Sequence, residues 1–229
     1  MSHPGDPPAL TFENLIAHNT AQLERHKHSR VFQMFTDGTL DDPRKRETFF
    51  ACVQVFARHF QTILYTRQAH CADQRYGALF LRHLREEIGH DDVLAKDLGQ
   101  SDEVWDPVLE GATAWLISRM TILDNIEKLA IVHLVLEASG AYMGAISKAP
   151  MRRLGRADYF SLHDEVDDSH VTLAIEPIRR QPPETLARVM VVMDQAWRML
   201  DSYFERVAFL VEGAGHPSAP PPSQRDRVP

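Results

Sequence analysis

The sequence is poor in the features that mark disulfide-rich, nucleic-acid-binding and membrane-spanning proteins. It has two cysteines, Cys52 and Cys71, whose spacing fits no metal motif and which indicate a reducing compartment without a disulfide framework. A formal net charge of -7 argues against wholesale binding to nucleic acid. The first residues lack the basic and apolar regions of a signal peptide, and no apolar run approaches the roughly 20 residues of a membrane span. We therefore expect a cytoplasmic protein without a membrane partner.

Strand signals are also missing, because no run of alternating β-branched residues is bounded by turns. We predict an all-α fold of seven helices in one domain over residues 11–212, with a flexible stretch at 1–10 and a disordered Pro-rich tail at 213–229. Helix starts are predicted at Thr11, Asp42-Pro43, Asp73, Ser101, Asp124, about Arg156 and Pro182-Pro183. The third helix is expected to run to Leu98, the fifth to end before Pro150, and the sixth to stop at Pro177.

The late segment from His163 to His170 reads His-x-x-x-Asp-x-x-His. Positions i, i+4 and i+7 share one stripe of a helix, so His163, Asp167 and His170 point the same way. Two imidazoles and a carboxylate suit iron or manganese. A solvated polar stripe is the alternative, because such spacings occur by chance in a chain with 12 histidines.

The predicted third helix carries Glu87 and His90 at i, i+3, the arrangement in which helical bundles present ligands to a dinuclear iron site. Spacing alone does not separate Glu86, at i-4 from His90, from Glu87. His83 lies two turns before His90 on the same face and is an alternative ligand. A charged, solvated helix face is the competing interpretation.

Glu137 stands in the apolar, small-residue run from Ile131 to Ile146. A carboxylate buried without a partner costs several kcal/mol, so one inside a core helix usually pairs with a cation or a metal. His133, four residues earlier, is either a core histidine or a partner that holds a ligand in place. The small residues beside Glu137 fit either close helix packing or a substrate pocket, whose candidate residues are Gly140, Tyr142 and Gly144.

These three groups together resemble the ligand pattern of the haem-oxygenase-like dimetal oxidases and oxygenases, within the haem oxygenase/TenA/PqqC-like superfamily. That pattern is Glu-x-x-His, a lone Glu on a later helix, and His-x-x-x-Asp-x-x-His. It falls here on six residues: Glu87, His90, Glu137, His163, Asp167 and His170. The segment from residue 28 to residue 61, with its Asp-Gly-Thr-Leu turn, is similar to the start of the wider superfamily.

The resemblance implies a seven-helix fold that binds Fe(II), two ions per chain, with manganese as an alternative. It implies an iron-dependent oxidoreductase whose partners are dioxygen and a small molecule such as an amino acid, a fatty acid or a similar acidic metabolite. Dimers are common in the superfamily, so a homodimer is compatible with it. The metal would supply the oxidation chemistry, and the protein its coordination and a dry cavity.

Other proteins of the superfamily offer alternatives. Metal-free thiamin-hydrolysing enzymes need a nucleophilic cysteine on the fifth helix, where this chain reads LEASGAY from Leu136 to Tyr142. A haem oxygenase needs an axial histidine on the first helix. A cofactor-free, quinone-forming oxidase or a non-catalytic binding protein also remains open, and an exposed Glu137 would favour the last. For the haem oxygenase alternative, the candidates for the axial histidine are His18, His26 and His28.

Overall fold

The computed structural model describes residues 10–98, 104–154 and 172–214, and within these ranges the chain is helical without strands. We number the helices in chain order. They are α1 Phe12–His26, α2 Arg30–Gln33, α3 Pro43–Ala69, α4 Gln74–Glu87, α5 His90–Leu98, α6 Pro107–Ile122, α7 Asn125–Arg153, α8 Ile175–Arg179 and α9 Pro183–Gly213. A short 3-10 turn covers Thr39–Asp41. The prediction of an all-α fold is confirmed.

Capping side chains begin several helices where the sequence places them. Thr11 forms a capping box with Asn14 at the start of α1, and Asp42 precedes Pro43 at the first position of α3. Asp73 and Asp124 cap α4 and α7. Each side-chain oxygen accepts a hydrogen bond from a backbone N–H that the helix leaves without an intrahelical partner, which fixes the first turn.

Four predicted boundaries are wrong. The helix expected to start at Ser101 begins at Pro107, because Asp106 is its N-cap. The helix expected from Asp73 to Leu98 is two helices, because Gly89 adopts a φ of 90° between α4 and α5. Pro150 lies inside α7, which continues to Arg153. A proline near a helix end removes one backbone hydrogen bond in a turn that is about to finish, so its effect is small there. Pro177 lies within α8 rather than ending a helix.

The core lies where α3, α6, α7 and α9 pack together. Trp197 and Tyr203 from α9, Phe49 from α3 and the segment of α7 from residue 130 to residue 136 are all buried. Length and composition alone would let α7 cross a membrane, yet 61% of its most apolar window is buried in the bundle. Its hydrophobicity is therefore that of a central core helix.

Residues 1–9 of the predicted N-terminal stretch, residues 215–229 of the predicted tail and most of the predicted sixth helix lie outside the described residues, whereas Gly213 is the last residue of α9.

Candidate metal centre and its cavity

A cavity of about 100 Å³ opens between α3, α7 and α9, with mostly aliphatic and aromatic walls and a polar end. Gly140 and Gly144 of α7 line it, so the small residues near Glu137 do leave space beside that helix. Tyr142 instead packs edge-on against Phe32 at 4.9 Å, with Lys27 above its ring. The apolar lining consists of Val31, Phe49, Val53, Phe56, Ala57, Phe60, Leu136, Met143, Leu200, Tyr203, Phe204 and Val207.

The polar end of the cavity is formed by Gln61, Glu87, His90, Asp91 and Glu137. Glu87 is the last residue of α4 and His90 the first of α5, and the turn at Gly89 brings His90 Nδ1 to 3.0 Å from Glu87 Oε2. Gln61 of α3 donates a hydrogen bond of 2.6 Å to the Glu87 carbonyl, a group left open where α4 ends. The two predicted ligands are therefore held together by a helix break and not by one continuous helix.

Glu137 reaches the cavity from the middle of α7. The backbone from Ala130 to Leu136 is a π-helix, and Glu137 follows it directly with its N–H bonded to the carbonyl of Val132. Single π turns widen a helix locally and recur at functional sites. The Glu137 side chain is 5% exposed, so the prediction that this carboxylate is buried in a core helix is confirmed.

His83 of α4 connects the two carboxylates. Its Nε2 lies 2.8 Å from Glu137 Oε1 and 3.9 Å from Glu87 Oε1, and its side chain is fully buried. The structure thus separates the candidates of this helix, because Glu87 and His83 face the site whereas Glu86 is exposed.

Arg67 of α3 is a buried residue of this cluster that could not be identified from the sequence. It is fully buried, with its Nη2 2.7 Å from His83 Nδ1, its Nη1 3.1 Å from His133 Nε2 and its guanidinium 4.4 Å from the Phe80 ring. Burial lowers the pKa of Arg67 to about 9, against the opposing effect of the Glu137 carboxylate. The group remains a cation at neutral pH.

The charged groups of this cluster come from three helices, α3, α4 and α7. Two buried carboxylates, Glu87 and Glu137, face one buried guanidinium, that of Arg67. In addition, His83, His133 and Glu137 each offer a ligand atom, and these atoms all lie within 4.8 Å of one another.

A second buried network crosses the other side of the cavity wall. His26 Nδ1 lies 2.7 Å from Asp201 Oδ1, and His26 Nε2 lies 2.9 Å from Ser139 Oγ. Asp201, His26 and Ser139 are connected in the order of the aspartate, histidine and serine of a hydrolase triad. However, Ser139 lies within α7, where the backbone N–H groups form hydrogen bonds inside the helix and therefore form no oxyanion hole. The network joins α1, α7 and α9, and it engages both ring nitrogens of the axial-haem candidate His26.

The remaining predicted residues are placed as follows. His18 of α1 contacts Asp194 of α9 at 2.7 Å, and His28 is exposed. Neither cysteine lines the cavity, and burial raises the pKa of the Cys52 thiol to about 12, so Cys52 is no nucleophile at neutral pH. The predicted trio of His163, Asp167 and His170 lies outside the described residues.

Comparison with known proteins shows the fold. No protein-family model matches the chain. An uncharacterized protein of Rickettsia prowazekii (strain Madrid E) is 22% identical over 194 residues, which cover 85% of this chain and 93% of that protein.

Three solved structures have a similar fold over most of the length of this chain. A domain of unknown function with a heme oxygenase-like fold from Shewanella denitrificans has a TM-score of 0.69 at 16% identity, covering 86% of this chain and 92% of its own. A TenA homolog from Pseudomonas syringae pv. tomato has a TM-score of 0.68 at 14% identity, with coverages of 90% and 99%. A TenA homologue from Pyrococcus furiosus has a TM-score of 0.68 at 14% identity, with coverages of 86% and 100%. The chain therefore has the haem-oxygenase-like fold, and identities this low establish the fold alone.

Proposed function

We propose that this protein is a metal-dependent enzyme that uses dioxygen to oxidise a small, largely apolar molecule. One observation carries the proposal: Glu87, His90 and Glu137, taken from different turns of the chain, converge on the polar end of one apolar cavity. A solvated helix face would not bury both carboxylates, so the alternative of a non-catalytic protein with polar surface stripes loses its support.

The donor set fits iron. Two carboxylates and an imidazole are hard-to-borderline ligands, a set that iron accepts. In the proposal, His163, Asp167 and His170 complete the set for two iron ions, and manganese is compatible with the same ligands. When bound, the iron would supply the activation of dioxygen and the electron transfer to it.

The residues of this chain prepare the site for that chemistry. Gln61 fixes the end of α4 and thereby the position of Glu87, while His83 holds Glu137 through a polar contact. Phe56, Phe60 and the other apolar walls exclude water, which strengthens every electrostatic interaction at the polar end.

The character of the cavity favours one of the predicted substrate classes. Its described lining is aromatic and aliphatic away from the polar end and contains no lysine or arginine. The apolar part of a fatty acid matches these walls better than a polar amino-acid side chain would, and the carboxylate of either would have to lie at the polar end. We therefore place a fatty acid or a similar apolar metabolite ahead of an amino acid.

A metal-free, TenA-like enzyme is the second candidate. The solved structures that resemble this chain include two TenA homologues, which supports it. In such an enzyme Glu87 and Glu137 would bind an amine or another cationic group of the substrate directly. The lack of a cysteine in the cavity lining argues against a thiol nucleophile at this position.

Metal loading separates the two candidates. We expect wild-type protein loaded anaerobically with Fe(II) to retain iron after desalting, and Glu87→Gln to lose most of it because a bidentate-capable carboxylate becomes a neutral amide. Glu86→Gln, one residue away and exposed, is the matched control and should retain wild-type iron. Far-UV circular dichroism checks the fold of both variants. Equal iron contents in the two variants would contradict the assignment of Glu87 as a ligand. A wild-type protein that retains no iron would favour the metal-free candidate.

A further inference from the structure

The buried guanidinium of Arg67 decides where two histidines carry their protons. A guanidinium has five donors and no acceptor. Its Nη2 lies 2.7 Å from His83 Nδ1, and its Nη1 lies 3.1 Å from His133 Nε2. His83 Nδ1 and His133 Nε2 must therefore each accept a hydrogen bond from the guanidinium, because two N–H donors would repel each other at these distances.

The tautomer of each histidine follows from this. A neutral imidazole that accepts at one nitrogen carries its hydrogen on the other. His83 thus has its hydrogen on Nε2, the nitrogen that lies 2.8 Å from Glu137 Oε1. His133 has its hydrogen on Nδ1. Neither ring then offers a metal the lone pair that coordination requires, since one nitrogen is protonated and the other already accepts from Arg67.

Burial makes this arrangement rigid. Arg67 and the two histidines are fully buried, and Phe80 stacks on the guanidinium at 4.4 Å. In a dry interior no water replaces a lost hydrogen bond, so exchanging one tautomer for the other would cost the full desolvation of both partners.

We propose that Arg67 is a positioning residue that keeps His83 and His133 out of metal coordination and thereby fixes Glu137 as the carboxylate offered to the metal. The inference rests on the proposed function only in treating Glu137 as a ligand. It resolves the choice within α4 in favour of Glu87 over His83. It also explains why His83, His133 and Glu137 have the spacing of a metal site without acting as one.

The first test is the tautomeric state in the metal-free, wild-type protein. Long-range ¹H–¹⁵N correlation spectra distinguish protonated from unprotonated ring nitrogens, and spectra of His83→Gln and His133→Gln assign the signals. We expect His83 with its proton on Nε2 and His133 with its proton on Nδ1. The opposite tautomer, or a doubly protonated ring, at either residue overturns the inference.

The second test removes the guanidinium. Arg67→Met should free the nitrogens of His83 and His133, so the variant should bind one Zn²⁺ more than wild type in equilibrium dialysis, and Arg67→Met/His133→Gln should lose it again. Arg58→Met, on the same helix but half-exposed, is the control and should match wild type. An unchanged Zn²⁺ stoichiometry in folded Arg67→Met contradicts the inference.

These results are independent of the outcome for iron. If wild type retains no iron while the spectra show the expected tautomers, the proposed function fails, and of the inference only the control of the two tautomers by Arg67 stands. If wild type retains iron while the spectra show an unprotonated Nε2 at His83, the inference fails while the proposed function stands.

Discussion

Single residues in this protein join a helix end to a distant helix, and Asp106 is an example outside the cavity. It caps α6 by accepting hydrogen bonds from the N–H groups of Val108 and Leu109. Its other oxygen accepts from two nitrogens of Arg206 on α9. Burial alone would raise the pKa of Asp106, but these hydrogen bonds outweigh it and lower the pKa below 3.8.

This lowered pKa predicts how stability depends on pH. A group with a depressed folded-state pKa contributes stability above its unfolded pKa, and the contribution disappears as pH falls through the folded value. We expect Asp106→Asn, which keeps the cap but loses the charge, to lower the free energy of unfolding by about 2 kcal/mol at pH 7. The difference from wild type should shrink steadily below about pH 4.

Urea unfolding at several pH values measures this difference. Asp124→Asn is the matched control, because Asp124 also caps a helix and contacts an arginine but is exposed, so it should change stability by only about 0.5 kcal/mol. A difference between wild type and Asp106→Asn that stays constant from pH 7 to pH 3 would show that the charge contributes nothing.

Glu137 could be identified from the sequence whereas Arg67 could not, and the difference lies in the residues next to each of them along the chain. A carboxylate in an apolar run stands out along the chain, and its burial could be predicted from that contrast. Arg67 lies seven residues after Phe60 and three after Leu64, on the buried stripe of α3, which was a usable signal. Its partners, however, come from α4 and α7, and only packing shows that they meet.

Among the elements, the break between α4 and α5 matters most for the site. The pattern Glu-x-x-His predicted one helix through His90, and the helix period gave no reason to interrupt it. A glycine inside a helical pattern is tolerated, so Gly89 alone did not identify the break. The caps at Thr11, Asp42, Asp73 and Asp124 were predictable, since they depend on neighbouring residues only.

The break gives a direct prediction for Gly89. Its φ of 90° is unfavourable for a residue with a Cβ, although no atom lies near a Cβ built there. We expect Gly89→Ala to lower the free energy of unfolding by about 1 kcal/mol and to weaken iron retention, because His90 would shift from Glu87.

Gly111 provides the control for this substitution. It lies inside α6, with no atom near its Cβ position and an ordinary backbone, so Gly111→Ala should raise the free energy of unfolding by about 1 kcal/mol. Chemical denaturation and iron analysis check both variants. Wild-type stability and iron content in Gly89→Ala would mean that the conformation at this position has no role in the site.

At the scale of the whole molecule, α7 combines two tasks. Its apolar face fills the centre of the bundle, which accounts for its membrane-like hydropathy. Its π segment and Glu137 interrupt that face beside the cavity, where Gly140 and Gly144 leave room. A bundle built only for stability would place an apolar residue at position 137, so the charged interruption is where this fold departs from pure packing.

The fold class followed from periodicity and from the absence of strand patterns, both of which are properties of the whole sequence. The cavity could not be predicted from the sequence. Its lining comes from residues on α2, α3, α7 and α9, and the directions of their side chains depend on how the helices cross. The predicted ligands His163, Asp167 and His170 remain a prediction, since they lie outside the described residues.

The most direct test of the central claim is the number of irons per chain after anaerobic loading with Fe(II), followed by absorbance on mixing with oxygen. The account predicts about two irons per chain and a transient visible band that is absent in Glu137→Ala. Wild-type protein that retains no iron and gives no absorbance change would contradict it and leave a metal-free enzyme on the same fold.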